Sequence, residues 1–257
     1  MISRAWGRVM ASRQLSLYLH ALVTLVFLLA CVARPAESPE QWFREGQEAL
    51  QAAKARQPIN ARAKNLILFI GDGMGVSTVT AARILEGQQR GKPGEENLLS
   101  FERLPYTAVI KTYTTNAQTS DSAGTMSAIV TGLKTKSHVI SVSQNVTVGD
   151  AKSADGNELP TIFEQAADAG RATGIVTTAR LTHATPAACY AHTPDRDWED
   201  DAYVERLAPG SNFPDIARQL IGVHDTHRLR VALGGGRRHF FPEGAPDPEY
   251  TNRDLNH

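Results

Sequence analysis

Three oxygen-bearing residues, Asp72, Ser122 and Thr185, each sit where a neighbouring element could deliver them to one end of a sheet. Asp72 ends the apolar run Leu66 to Ile70 and lies between Gly71 and Gly73, in the stretch NLILFIGDGMG. Ser122 opens SAGTMSAIVTGLK, where Ala123, Met126, Ser127 and Val130 can form one packing face of a helix and Gly132 its C-cap. Thr185 lies in the polar stretch that follows the segment Arg171 to Thr178. Carboxylate and hydroxyl oxygens suit a hard or borderline divalent cation. Such a cation lowers the pKa of a serine hydroxyl bound to it and replaces the histidine base of a triad, while an arginine such as Arg196 can clamp a phosphate with paired hydrogen bonds. The set is suited to phosphoryl transfer. Each position also has a plainer reading, because Asp-Gly marks ordinary turns and serine at a helix start is a common N-cap.

The elements that would position these residues can be read from hydrophobic patterning. Five consecutive apolar residues, Leu66 to Ile70, predict a strand buried on both faces, since a half-exposed strand alternates polar and apolar positions. In open α/β sheets ligands gather beyond the carboxyl ends of strands, where Asp72 would lie. Gly71, Gly73 and Gly75 let the backbone turn tightly and leave room beside the carboxylate. Helices are predicted over Pro39 to Gln57, Ser77 to Glu86 closing at Gly87, Leu159 to Ala169 begun near Pro160, and Asp215 to Ile221. Further strands are predicted over Tyr106 to Tyr113, Arg171 to Thr178, and Leu229 to Gly236, with an irregular or β-rich excursion over residues 138–151. This order predicts an α/β fold, a layered sheet with helices on both faces. Neither glycine turn is a nucleotide motif: Gly234–Gly236 lacks the Gly-Lys-Ser/Thr ending of a P-loop, and Gly71-x-Gly73-x-Gly75 is not the dinucleotide fingerprint.

Lys+Arg and Asp+Glu balance at 27 each, so no global charge directs the chain to nucleic acid. Residues 1–33 combine Arg4, Arg8 and Arg13 with the apolar run ALVTLVFLLACVA, which predicts an export signal and a periplasmic or extracellular destination. Leu28 to Cys31 resembles a lipoprotein cleavage box that would give Cys31 a lipid anchor, although Leu29 departs from the small residue usual there. An uncleaved membrane anchor is the alternative, and Met10 is a second candidate start. Residues 34–257 are expected to form one domain, with Cys189 packed as a small hydrophobe and no disulfide. Asn145-Val146-Thr147 is a glycosylation sequon that matters only in a glycosylating host. His138, His192 and His239 are expected to be structural or exposed.

Four ordered motifs carry a resemblance to the alkaline phosphatase family: KNLILFIGDGMGVSTVTAARIL (Lys64–Leu85), TSDSAGTMSAIVTGLKT (Thr119–Thr135), VTTARLTHATPAACYAHTPDRDW (Val176–Trp198) and LGGGRRHFFPEGAPDPEY (Leu233–Tyr250). The resemblance implies a phosphate monoester substrate, two Zn2+ and one Mg2+, and a homodimer when the fold is complete. It implies that Ser122 is the nucleophile and forms a phosphoserine, and that Asp72 bridges the magnesium and one zinc. Thr185 would be the hydroxyl ligand of magnesium, Arg196 would bind substrate phosphate, and Asp121 would orient its guanidinium. His183 falls where the family carries an acid or a histidine near the magnesium, which implies tuning rather than ligation.

The resemblance also implies that the magnesium glutamate and the ligands completing both zinc sites lie beyond His257. The 257 residues alone are therefore expected to be an incomplete catalyst, with a truncated fold whose sheet edge and apolar helix faces are uncovered. One alternative is a different metal-dependent phospho- or sulfo-ester hydrolase of the same superfamily. Asp121-Ser122-Ala123-Gly124 lacks the Pro-x-Arg context of a sulfatase, and Ser122 lies outside the Gly-x-Ser-x-Gly of Ser-His-Asp hydrolases. The other alternative is a noncatalytic, exported metal- or phosphate-binding fragment.

Overall fold

The computed structural model describes residues 38–55, 61–226 and 228–242. The predicted export segment 1–33 with Cys31, the end of the first predicted helix at Gln57, and the last residues of the fourth motif lie outside them. The chain divides into two units, one of residues 1–65 and 103–107 and the other of residues 66–102 and 108–257. The first contains helix α1 (Pro39–Ala55), which buries none of its residues.

The second unit holds every candidate site residue. Its described elements are α2 (Val76–Gln89), α3 (Ser122–Thr131), the short α4 (Ala151–Ala154), α5 (Ile162–Asp168), β1 (Gly174–Arg180), the one-turn α6 (Ala184–Ala187), α7 (Asp201–Leu207), α8 (Ile216–Asp225) and β2 (Val231–Gly235). Strands β1 and β2 pair in parallel, in register from Gly174 opposite Val231 to Val176 opposite Leu233, with an irregularity before Arg180 meets Gly235. Parallel pairing requires a crossover, and α6, α7 and α8 lie in the intervening chain. This is an α/β architecture, as the element order predicts.

The core forms where α3, α6 and α8 meet β1. Ala123, Met126 and Val130 on α3 join Ala184, Ala187, Ala188, Ile175, Ile216 and Leu220 in one buried cluster, and Cys189 packs within it as a free thiol. Small residues let α3 approach closely. A Cβ on Gly124 would strike the Thr114 side chain and come within 2.8 Å of the Lys136 carbonyl oxygen, so glycine sets this contact. Capping fixes the helix boundaries. Asp121 accepts a bond from the Gly124 amide at 3.1 Å, and Gly132 closes α3 at φ 76°. Thr161 and Glu164 form a reciprocal capping box that starts α5, so this helix begins after Pro160 and is capped by Thr161.

Two strand expectations fail. Leu66 to Ile70 has no strand partner among the described residues, and its side chains are exposed, Phe69 at 90%. Tyr106 to Tyr113 is likewise unpaired, with Val109 at 98% exposure. An apolar run signals burial but does not supply the neighbouring strand that its N–H and C=O groups require. The buried reading of Arg171 to Thr178 is also corrected: Ile175 is buried, whereas Val176 is 77% exposed beside Leu233 at 59%. One face of the strand pair meets the core, and the other carries the uncovered side chains of Val176 and Leu233.

Candidate functional site

Asp72 is brought to Ser122 and Thr185 despite separations of 50 and 113 residues in sequence. The turn after Ile70 reverses through Gly73 at φ 67°, a left-handed conformation that favours glycine. Gly75 makes no such demand, whereas a Cβ on Gly71 would come within 2.9 Å of the Met74 Cβ, so the turn requires Gly73 for its backbone and Gly71 for space. Ser122 is the first residue of α3 and its Oγ donates to Asp72 Oδ1 at 2.9 Å. The cap itself is Asp121. The N-cap reading of Ser122 is therefore corrected, and its hydroxyl is left free to face the carboxylate at the positive end of a ten-residue helix. From the start of α6, Thr185 Oγ1 donates to the other oxygen, Asp72 Oδ2, at 2.6 Å.

A second group of side chains is built against the first. Asp121 spends one carboxylate oxygen on capping α3; the other accepts from Arg196 Nη1 at 3.0 Å and from the His138 amide at 3.1 Å. Arg196 Nη2 reaches His183 Nε2 at 3.1 Å. A guanidinium can only donate, so His183 Nε2 is the acceptor and the neutral ring carries its proton on Nδ1. That nitrogen is buried without a hydrogen-bond partner, 3.9 Å from Asp72 Oδ2. Burial, then the charges of Arg196 and Arg180, push the His183 pKa down, so the ring is held neutral against the attraction of Asp72. For Asp72, burial pushes the carboxyl up, but the Thr185 and Ser122 bonds and the nearby positive groups prevail and hold it below its ordinary value. Asp121 follows the same balance, with burial opposed by the Gly124, Arg196 and His138 bonds.

Glu199 supports the site and has no signal in local spacing. It accepts from Arg180 Nε and Nη2 at 2.8 and 2.7 Å and from Thr182 Oγ1 at 2.6 Å, so it grips the turn that leads from β1 to His183. Its partners lie 17 to 19 residues away across that turn. His239, buried against Glu199 at 3.1 Å and Asp200 at 2.7 Å, closes the network, while the half-buried His192 pairs with Glu164 at 3.2 Å. His138 is exposed.

The donor chemistry around Asp72 can be tested against the metals that the resemblance implies. Two hydroxyls and a carboxylate converge there, an all-oxygen donor set that fits one hard cation of the magnesium type. Among the described residues, the donors around Asp72 do not suffice for two zinc ions. Of the expected zinc ligands, Asp72 and Ser122 are the ones gathered here, and zinc takes about four.

Fold and site together define an α/β protein with a serine hydroxyl, a carboxylate and a clamped arginine at the ends of its helices and extended segments. The family model described as alkaline phosphatase matches residues 63–256, and the chain belongs to that family. It is 45% identical over 240 residues to the tissue-nonspecific alkaline phosphatase of Gallus gallus, covering 93% of this chain and 46% of the relative. To the Homo sapiens tissue-nonspecific isozyme it is 44% identical over 222 residues, covering 86% and 42%. A cold-active alkaline phosphatase from a psychrophilic Shewanella, known from a crystal structure, superposes with a TM-score of 0.47 at 28% identity over 67% of this chain and 36% of that one. The chain thus spans just under half the length of the curated relatives it matches.

Proposed function

We propose that this chain carries the nucleophile-bearing part of a phosphate monoesterase that works through a phosphoserine at Ser122. The observation that carries this reading is the placement of the Ser122 hydroxyl. It sits at the N-terminus of α3, is aimed by Asp72 at 2.9 Å, and is adjacent in sequence to the Asp121 that holds Arg196. In this reading Arg196 binds two phosphate oxygens and Ser122 Oγ forms a bond to phosphorus as the ester P–O bond breaks. The leaving oxygen takes up a proton, and water then cleaves the phosphoserine. Asp72 orients the hydroxyl, and because its carboxyl is held below the ordinary range it is a weak base for the serine proton. A divalent cation held by Asp72 and Thr185 would supply the pKa lowering that the hydroxyl needs.

The second reading is a noncatalytic phosphate- or metal-binding chain, favoured by the shortage of zinc donors around Asp72. Incubation with 4-nitrophenyl phosphate, Mg2+ and Zn2+, followed by acid quench and peptide mass spectrometry, separates the two. A phosphoryl group on the Ser122 peptide that disappears in Ser122→Ala supports the esterase. Equal labelling in the variant would remove Ser122 from the role. Phosphate binding without any labelling supports the noncatalytic chain. Export through residues 1–33, lipidation at Cys31 and pairing of two copies belong to the same proposal, and N-terminal sequencing of secreted protein tests the first.

A further inference from the structure

Outside the Asp72 centre, one imidazole and two carboxylates converge on the loop that carries Arg196. One ligand atom from each of His138, Asp195 and Asp197 lies within 4.8 Å of the others. A tetrahedral zinc ion with bonds of about 2.1 Å needs its ligand atoms about 3.4 Å apart, a closure that rotation of the exposed His138 and Asp197 side chains can supply. The backbone holds the group together. Arg196 N donates to His138 O at 2.7 Å, and Asp197 N donates to Asp195 Oδ1 at 3.0 Å.

Two carboxylates share one guanidinium here. Arg196 Nε is 4.0 Å from Asp197, while its other nitrogens are engaged by Asp121 and His183. Burial, and then the charge of Asp197 working against the bond from the Asp197 amide, push the Asp195 carboxyl up. His138 offers one ring nitrogen to this group as a ligand atom.

We propose that His138, Asp195 and Asp197 form a binding site for a borderline divalent cation such as Zn2+ or Co2+, separate from the Asp72 centre. One imidazole nitrogen with two carboxylate oxygens and open positions for water suits these ions better than Mg2+. The ion would tie the turn at His138 to both residues that flank Arg196 and so brace that arginine. The bracing rests on the phosphate reading above; the binding does not.

The test is equilibrium dialysis of the purified, chelator-treated full chain against Zn2+ or Co2+ in excess Mg2+, with bound ions counted by elemental analysis and Co2+ followed by its visible absorption. His138→Gly is the informative variant, because His138 sits at φ 69°, where glycine is at ease, so the fold should tolerate it. We expect His138→Gly and Asp197→Asn each to bind one ion fewer per chain, or to bind it at least tenfold more weakly, with loss of the matching Co2+ band. Asp72→Asn should keep that ion. Wild-type stoichiometry and affinity in both His138→Gly and Asp197→Asn would overturn the proposal, as would loss of the same ion in Asp72→Asn. If Asp72→Asn loses no ion at all, the Asp72 centre fails as a metal site while this one stands.

Discussion

Asp121 offers a way to separate helix capping from arginine positioning with two substitutions. One of its oxygens caps α3 through the Gly124 amide, and the other accepts from Arg196 and from the His138 amide. Asp121→Asn keeps a capping oxygen but turns an amide group toward two donors, so both of those bonds are lost. The pair is largely shielded, at 20% and 17% side-chain exposure. The bond to charged Arg196 contributes about 2 kcal/mol and the amide bond about 1 kcal/mol. Asp121→Asn should therefore destabilise by about 3 kcal/mol, and Asp121→Ala by about 1 kcal/mol more through loss of the cap. Because the folded-state pKa of Asp121 lies below its ordinary 3.8, this stabilisation is complete above that ordinary value and declines as the pH falls through the folded value. The measurement is urea unfolding of wild type and both variants across that range. Isothermal titration with inorganic phosphate reports the site: an unanchored Arg196 must be ordered on binding, at about 0.5–1.5 kcal/mol, so affinity should fall about two- to tenfold in Asp121→Asn. An Asp121→Asn variant within about 0.5 kcal/mol of wild type, with unchanged phosphate affinity, would refute the clamp.

Further perturbations address other parts of the reasoning. Arg196→Ala should weaken inorganic phosphate binding by about tenfold or more, and Arg196→Lys should fail to restore it, since a bidentate fork is lost; titration calorimetry reads both. Glu164→Gln preserves the capping-box acceptor but removes the charge paired with His192 at 3.2 Å. Against burial, bonds from His192 and Thr161 bring the Glu164 carboxyl from 4.5 to about 2, which corresponds to about 3 kcal/mol by linkage. The His192 pKa is raised by Glu164 and the Ser141 carbonyl against its burial, so its side of the pairing is complete below 6.5 and lost as pH rises through the folded value. The stability gap between wild type and Glu164→Gln should therefore be widest between about pH 4.5 and 6.5, and should narrow toward pH 2 and again as the pH rises through the folded His192 value; thermal melts across pH check it.

The motifs around Asp72 and Ser122 were legible in sequence because short signals determine them, a Gly-Asp-Gly turn and a polar helix start, while Thr185 and Arg196 stood out through the family motif that carries them. Their company with one another follows from folding, since Asp72 meets Thr185 across 113 residues. Local chemistry could not decide which of Asp121 and Ser122 caps α3, because both residue types cap well; the answer came from which oxygen reaches the Gly124 amide. Glu199 and the cluster of His138 with Asp195 and Asp197 were missed for a related reason: each is assembled from side chains that no periodicity links.

Family membership and the candidate chemistry around Ser122 belong to the sequence alone, because they reside in contiguous motifs. The fate of the apolar runs belonged to the tertiary structure. Leu66 to Ile70 has the composition of an interior strand, yet burial depends on a neighbour that the run does not encode, and its side chains stand exposed. Tertiary structure likewise decided that Ser122 faces Asp72 rather than its own helix backbone, because Asp121 had already taken the cap.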